Sequence, residues 1–363
     1  MTQPFRTAFA GLAMGLMLLA SSAAQAQIDV MAPFNMAQAM DEEPVKLGDG
    51  VAYADGQRKK LDVYTPKNPS GAAPVVVFIY GGAWRNGNRA DYQFVGRALA
   101  SAGFVTVIPD YRLFPEVKYP DFIEDNAQAL RWVQDNITKY GGDPQRVFLA
   151  GHSAGAYNAV MLALDSSFMR EYGVDLQIRG VAALSGPYNF YPFEYGEVRD
   201  TFGEAPNPEG TQPVNLVTGN APPMFLATGT HDPIVRRQNT EVLAERLKAQ
   251  GIWVTERYYE GFGHMEPVFA MGKMLRWRMP VFADMVEFFH RFGAFPSGTP
   301  RPNFVPEPPM AAPDPILAVI DELDTILQPI SDGAGDGAAP ASETPSVPAP
   351  DAAAPANTVV PPR

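Results

Sequence analysis

Between Leu61 and Phe292 the chain alternates short β-rich runs with helix-length amphipathic segments, and this alternation limits the fold more than any other feature. Seven runs read as strands: 61–66 (LDVYTP), 75–80 (VVVFIY), 104–109 (FVTVIP), 146–151 (RVFLAG), 180–186 (GVAALSG), 224–229 (MFLATG) and 253–259 (WVTERYY). Several are apolar throughout, as strands covered on both faces are. Helices are expected over 92–102, 121–140, 154–164, 238–250 and 281–292, with Asp121 and Glu124 resembling a capping signal for the second. Strand and helix in repeated alternation predict an α/β fold, a mostly parallel sheet with helices on both faces. In such sheets the reactive groups gather beyond the carboxyl ends of the strands.

The ends follow other rules. Arg6, an apolar run from Ala8 to Ala20 and the small residues ending Ala24-Gln25-Ala26 have the layout of a secretory signal over residues 1–26. The apolar run is shorter than the roughly 20 residues a membrane-spanning helix needs. Cleavage before Gln27 would send the protein to the periplasm or the medium. An N-terminal segment (27–60) then leads into the domain (61–293). From Ala294 to Arg363 the composition shifts, with 16 of the 36 prolines in these 70 residues, and such a tail cannot bury enough apolar surface to fold. Within it, residues 315–327 have apolar side chains near helical spacing, read as a transient helix or one that docks on the body or on a partner.

Two basic and nine acidic residues give the tail a charge of −7, leaving about −6 of the total −12 for residues 27–293 once Arg6 is set aside. Nucleic acid, whose phosphates demand a basic face, is excluded as a partner. The chain has no cysteine, which removes a lipid anchor on Cys, a thiolate nucleophile and a Cys-rich metal site.

One stretch carries the chemistry: residues 146–164, RVFLAGHSAGAYNAVMLAL, in which a strand runs straight into a helix with Gly151-His152-Ser153-Ala154-Gly155 at the joint. A serine nucleophile must stand out of the sheet on a very tight turn, and small residues two before and two after it relieve the crowding. Its hydroxyl needs a base. Of the four histidines, His152 adjoins Ser153 and is expected to point away from it, His290 lies within a helix, and His231 is a loop residue. His264, in the glycine-flanked loop after the last strand (YYEGFGHME), is the expected base. Asp232, just past the sixth major strand in MFLATGTHDPIV, is the expected acid, giving the chain order Ser, Asp, His. Asp110 and Asp143 lie on the wrong segments and are given structural roles. Oxyanion donors are expected from the amide of Ala154 and, in FIYGGAWRNG, from Gly82 and Ala83, with Gly81 as the close-approach position.

With these parts assembled, the chain resembles the α/β-hydrolase superfamily. More narrowly it is similar to the esterase branch with an HGGxW or GGGx oxyanion loop, which includes carboxylesterases, arylformamidases and prenylcysteine methylesterase-like enzymes. The motifs GGAWRNG, DYRLFP, NITKYGGDPQRVFLAGHSAGA, GTHDPIV and GFGHM carry the resemblance, which covers about Leu61 to Phe292. It implies a serine esterase working through an acyl-enzyme, with neither metal nor organic cofactor, and gives Tyr80 and Trp84 supporting places in the oxyanion loop. Two departures stand out. Tyr80 occupies the histidine position of HGGxW, so that loop must be braced differently, and Ala156 replaces the further glycine of the serine exopeptidases.

Two insertions bear on the substrate. Residues 186–222 carry Tyr188, Phe190, Tyr191, Phe193, Tyr195 and Phe202 and read either as a cap lining an apolar pocket or as a packed insertion. In residues 268–280, Met271, Met274, Leu275, Trp277 and Met279 interleave with Lys273, Arg276 and Arg278, which suits a transient lipid-surface contact, the pocket mouth or packing against the cap. The expectation is therefore an exported hydrolase of small carboxylic esters with an apolar part. An amide or formamide hydrolase, an interfacial lipase and a non-catalytic binding module are the alternatives.

Overall fold

In the computed structural model, residues 44–293 are described, apart from Asn68 and Ser70. The leader, residues 27–43, the tail and its segment 315–327 lie outside the described residues.

The expected architecture is found. Eight strands among the described residues form one sheet: β1 (Val45–Ala52), β2 (Lys60–Thr65), β3 (Ala73–Ile79), β4 (Val105–Pro109), β5 (Gly142–His152), β6 (Ile178–Leu184), β7 (Met224–Gly229) and β8 (Val254–Tyr259). Their spatial order is β1-β2-β4-β3-β5-β6-β7-β8. The β1/β2 and β2/β4 pairs are antiparallel and all others parallel. Consecutive residues of the central strands, such as Val76 to Ile79 and Val147 to Ala150, are almost wholly shielded, which requires helices on both faces.

Those helices are α1 (Gln93–Ser101), α2 (Asp121–Asn136), α3 (Ala154–Leu164), α4 (Ser166–Glu171), α5 (Gly196–Phe202), α6 (Gln238–Ala249), α7 (Glu266–Phe269) and α8 (Val281–Phe292). The five long ones fall where the sequence places them, with α2 shortened because 137–140 tightens into a 3-10 turn. The capping expectation at Asp121 is corrected. Pro120 occupies the N-cap position with no side-chain bond, and Asp121 and Glu124 sit inside the first turn, where their charge favours the positive end of the helix. The short α4, α5 and α7 had no periodicity long enough to read.

The sheet also begins earlier than Leu61. β1 belongs to it, although its sequence, VKLGDGVA, is mostly exposed and irregular in register. Asp62 of β2 holds this edge strand: its carboxylate accepts the Gly50 amide at 2.8 Å and pairs with Lys46 Nζ at 2.8 Å.

The core closes where α8 meets the middle of the sheet. Phe289 packs on Phe104 and Phe148 at ring separations of 5.5 and 5.0 Å, and Phe288 fills the space above Gly180. Phe289→Ala would leave a fully enclosed cavity, and urea unfolding should show a loss of about 3–5 kcal/mol.

Candidate active site

β5 delivers His152 to the carboxyl edge of the sheet, and α3 starts at Ala154, so Ser153 alone makes the turn. Its backbone is left-handed (φ 53°, ψ −123°), a conformation that costs a non-glycine residue about 1–3 kcal/mol and persists only where neighbours enforce it. The neighbours are backbone. A Cβ on Gly151 would lie 2.4 Å from the Gly155 carbonyl oxygen, and one on Gly155 would lie 2.0 Å from that of Ile79. Ser153 N–H donates to the Leu184 carbonyl at 2.9 Å, tying the turn to β6.

The loops after β7 and β8 are stitched together, His231 N–H donating to the Phe262 carbonyl at 3.0 Å. This brings Asp232 and His264 to Ser153. Asp232 Oδ1 accepts the amides of Ile234 and Val235 at 2.9 and 2.8 Å, leaving Oδ2 to accept His264 Nδ1–H at 2.8 Å. That bond puts the ring proton on Nδ1, so the Nε2 lone pair faces the Ser153 hydroxyl, 2.9 Å away. Asp232 and His264 are buried, while Ser153 is partly open to solvent. A hydroxyl held against a neutral imidazole, itself oriented by a carboxylate, can lose its proton as it attacks an electrophile.

Opposite the serine lies the loop after β3. A Cβ on Gly81 would come within 3.0 Å of Ser153 Cβ, so only glycine lets the loop approach the turn this closely. The next three residues are all at positive φ: Gly82 124°, Ala83 51° and Trp84 58°. The amides of Gly82, Ala83 and Ala154 have no hydrogen-bond partner among the described residues. Unpaired donors grouped beside a nucleophile suit a developing oxyanion.

The bracing that Tyr80 must supply is a buried ion network. Its hydroxyl donates to Asp110 Oδ1 at 3.0 Å and accepts from Arg58 Nη2 at 2.8 Å, while its ring stacks on Tyr111 and Tyr92. Burial, then the Asp110 charge, pushes the phenol far above its ordinary value and keeps it a donor. Arg89 pairs with both Asp110 and Asp62. Trp84 is buried, its Nε1–H donating to Asn158 Oδ1 of α3 at 3.0 Å. Asp110 thus has a structural role, as expected, yet one that supports the site. Asp143 only pairs with Arg146 and caps its own turn.

His152 has a part beyond the expectation that it points away from Ser153: its imidazole lies 4.9 Å from the His264 ring and its Nε2–H donates to the His264 carbonyl at 2.9 Å, anchoring the base loop. Burial, reinforced by His264, holds its pKa down at about 3. Its adjacency to the serine gave no hint of this, because the bond runs to a segment 112 residues away. His231 is an exposed loop residue and His290 stacks on Phe104, as expected.

In the first insertion Tyr188 and Phe202 are wholly buried, as the packed reading has them, and Phe202 and Phe190 cluster with Trp84 and with Tyr157 of α3, whereas Tyr191 and Tyr195 are exposed. In the second, Met271, Leu275 and Met279 are in the core and Gly272 sits on Phe94 of α1, which is the packed reading, while Met274 and Trp277 are half-buried. Among the described residues no helix is long and apolar enough to cross a membrane, and no group of three or more His, Asp or Glu could hold a metal ion.

A mostly parallel sheet with this serine turn, and an acid and a base on the loops after β7 and β8, defines an α/β-hydrolase fold. Residues 61–247 match the BD-FAE family, and the chain belongs to it. Among its relatives, the isoprenylcysteine alpha-carbonyl methylesterase ICME of Arabidopsis thaliana is 31% identical over 262 residues, 66% of this chain and 61% of the relative. Esterase LipC of Mycobacterium tuberculosis is 32% identical over 220 residues, 55% of this chain and 54% of the relative. The chain therefore spans between about one third and three fifths of the plant methylesterases it matches. The solved structure of esterase B from Lactobacillus rhamnosis, inhibited by a tributyrin phosphonate, shares the fold at a TM-score of 0.63 and 20% identity, over 79% of this chain and 96% of that one.

Two outcomes follow. Tyr80→Phe removes the hydroxyl that joins Arg58 to Asp110 and should cost about 1–3 kcal/mol in urea unfolding. The unfolded chain protonates His152 near pH 6.5 while the folded protein refuses the proton until about pH 3, so stability falls as the pH is lowered between these values. This one group contributes a slope of about 1.4 kcal/mol per pH unit, and unfolding midpoints at pH 4, 5 and 6 should fall less steeply in His152→Gln than in the wild type.

Proposed function

We propose that this protein is a serine esterase that cleaves carboxylic esters through an acyl-enzyme. The observation that carries the reading is the unbroken line of contacts from Ser153 Oγ through His264 to Asp232, set beside unpaired amides. Ser153 Oγ attacks the ester carbonyl as His264 Nε2 takes its proton. The carbonyl oxygen gains negative charge and is held by the amides of Gly82, Ala83 and Ala154. Collapse breaks the C–O bond to the alcohol, which leaves with the proton returned by His264. A water molecule then repeats the sequence at the acyl-serine, regenerating the hydroxyl and releasing the acid.

Relatives named methylesterase and esterase support an ester as substrate. Phe190 and Phe193 of the insertion are only half-buried and leave apolar surface near Tyr157 of α3, which favours a substrate with an apolar part. The reading includes export: residues 1–26 have the signal layout, and the protein would act in the periplasm or outside the cell.

Purified protein should hydrolyse p-nitrophenyl acetate and butyrate, with Ser153→Ala reducing kcat by about 10⁴-fold or more while the variant remains folded. A fluorophosphonate probe should label the wild type at Ser153 and leave Ser153→Ala unlabelled. Labelling without ester hydrolysis, accompanied by cleavage of an aryl formamide, would move the assignment to an amide hydrolase, and no labelling at all would overturn the catalytic reading.

A further inference from the structure

The oxyanion loop carries backbone strain that its own sequence does not explain. Glycine at 82 tolerates a positive φ, but Ala83 and Trp84, at 51° and 58°, gain nothing from theirs. Such a conformation survives only where contacts from outside over-determine it. Trp84 has several: the bond to Asn158, the Phe114 amide on its carbonyl at 2.8 Å, and an edge contact with Phe202 at 4.8 Å. Phe202 is the last residue of α5, in the cap.

The next residue reaches the same helix. Arg85 N–H closes the turn onto the Gly82 carbonyl at 2.9 Å, while its guanidinium lies 4.0 Å over the Phe114 ring. From there Nη2 donates to the Glu197 carbonyl at 3.1 Å and to Asp200 Oδ2 at 2.9 Å, both on α5. The Asp200 pair alone would contribute little, since that carboxylate is more than half exposed. The stacked ring and the backbone carbonyl add two fixed partners, and a planar fork can serve all three at once where a lysine ammonium cannot.

We propose that Arg85 is a positioning residue for ester hydrolysis. By clasping the oxyanion loop to cap helix α5, it holds the left-handed backbone of Ala83 and Trp84 and keeps the donor amides in place for the transition state. The proposal rests on the esterase reading above. Because the clasp acts on the oxyanion site and not on the acyl pocket, its loss reduces kcat for short and long acyl chains alike.

The test compares the wild type with Arg85→Met, which keeps an apolar stem on Phe114, with Arg85→Lys and with Asp200→Asn. Two quantities are read: kcat and KM for p-nitrophenyl acetate and butyrate, and amide hydrogen exchange of the segment 80–90 by mass spectrometry. Arg85→Met should lower kcat by about 10- to 100-fold for both esters, less than the loss of a whole donor, with KM within about threefold. Exchange in 80–90 should quicken at least about tenfold while the central strands stay protected. Arg85→Lys should recover only part of kcat, and Asp200→Asn should show a smaller loss. An unchanged kcat, a rise in KM confined to the longer ester, or loop exchange equal to the wild type would each overturn the proposal. If the wild type neither hydrolyses esters nor takes the fluorophosphonate, the esterase reading falls, and loop exchange alone decides whether the clasp exists.

Discussion

The site depends on a contact in which no side chain takes part. Gly155, in the first turn of α3, presses its Cα against the carbonyls of Ile79 and Tyr80 at the end of β3, at a distance that excludes even a methyl group. That approach sets how deeply the helix start sinks into the sheet edge, and therefore where Ser153 stands. It also fixes the oxyanion loop, which leaves β3 at those same residues. Nucleophile and amide donors are thus referenced to one backbone junction instead of to two loops that could drift apart. A well-packed interior transmits displacements of this kind with little loss.

Polar groups are used differently on the two sides of this junction. On the Asp232 side each acceptor is filled, two amides on Oδ1 and the imidazole on Oδ2, so the carboxylate has one orientation and His264 one tautomer. On the oxyanion side the donors are left unpaired and the order is supplied from behind by Tyr80, Arg58, Asp110 and Arg89. A network of buried charges is costly to break because removing one partner strands another. Here that stiffness lies directly behind the part of the backbone whose amides are left without partners among the described residues. His152, kept neutral by burial, adds a bond to the base loop without adding charge beside His264.

Much of this was legible in the sequence, for identifiable reasons. The central strands are apolar without interruption and the long helices have clear spacing, so the layers could be read directly, and the Ser153, Asp232 and His264 positions followed from where strands end. What escaped notice depends on distant partners. β1 has no alternation because its alignment comes from Asp62 and not from an apolar face. Tyr80 signalled that the brace must differ, but its partners come from segments 22 and 30 residues away: Arg58 lies in no motif, and Asp110, although it opens DYRLFP, shows no link to Tyr80 by its spacing. Adjacency to Ser153 argues against His152 as the base but says nothing about which loop its ring meets. The composition of segment 268–280 suits surface and packed readings alike, and only its packing over α1 reveals that Met271 and Met279 face inward.

β1 has a consequence for where the folding unit starts. The family match opens at residue 61, in β2, and a chain cut there would retain Asp62 while losing Gly50 and Lys46, two of the groups that neutralise and hydrogen-bond its carboxylate. Asp62 would keep a long contact from the Tyr64 hydroxyl and, as its one counter-charge among the ion pairs described, Arg89, the residue that also holds Asp110 and, through it, Tyr80. An edge strand with hardly a buried side chain therefore stands at one end of a line of charge that reaches the back of the oxyanion loop. Domain limits drawn from sequence similarity and those drawn from electrostatic closure differ in this protein, and the second set is the one that a shortened or grafted version of it would have to respect.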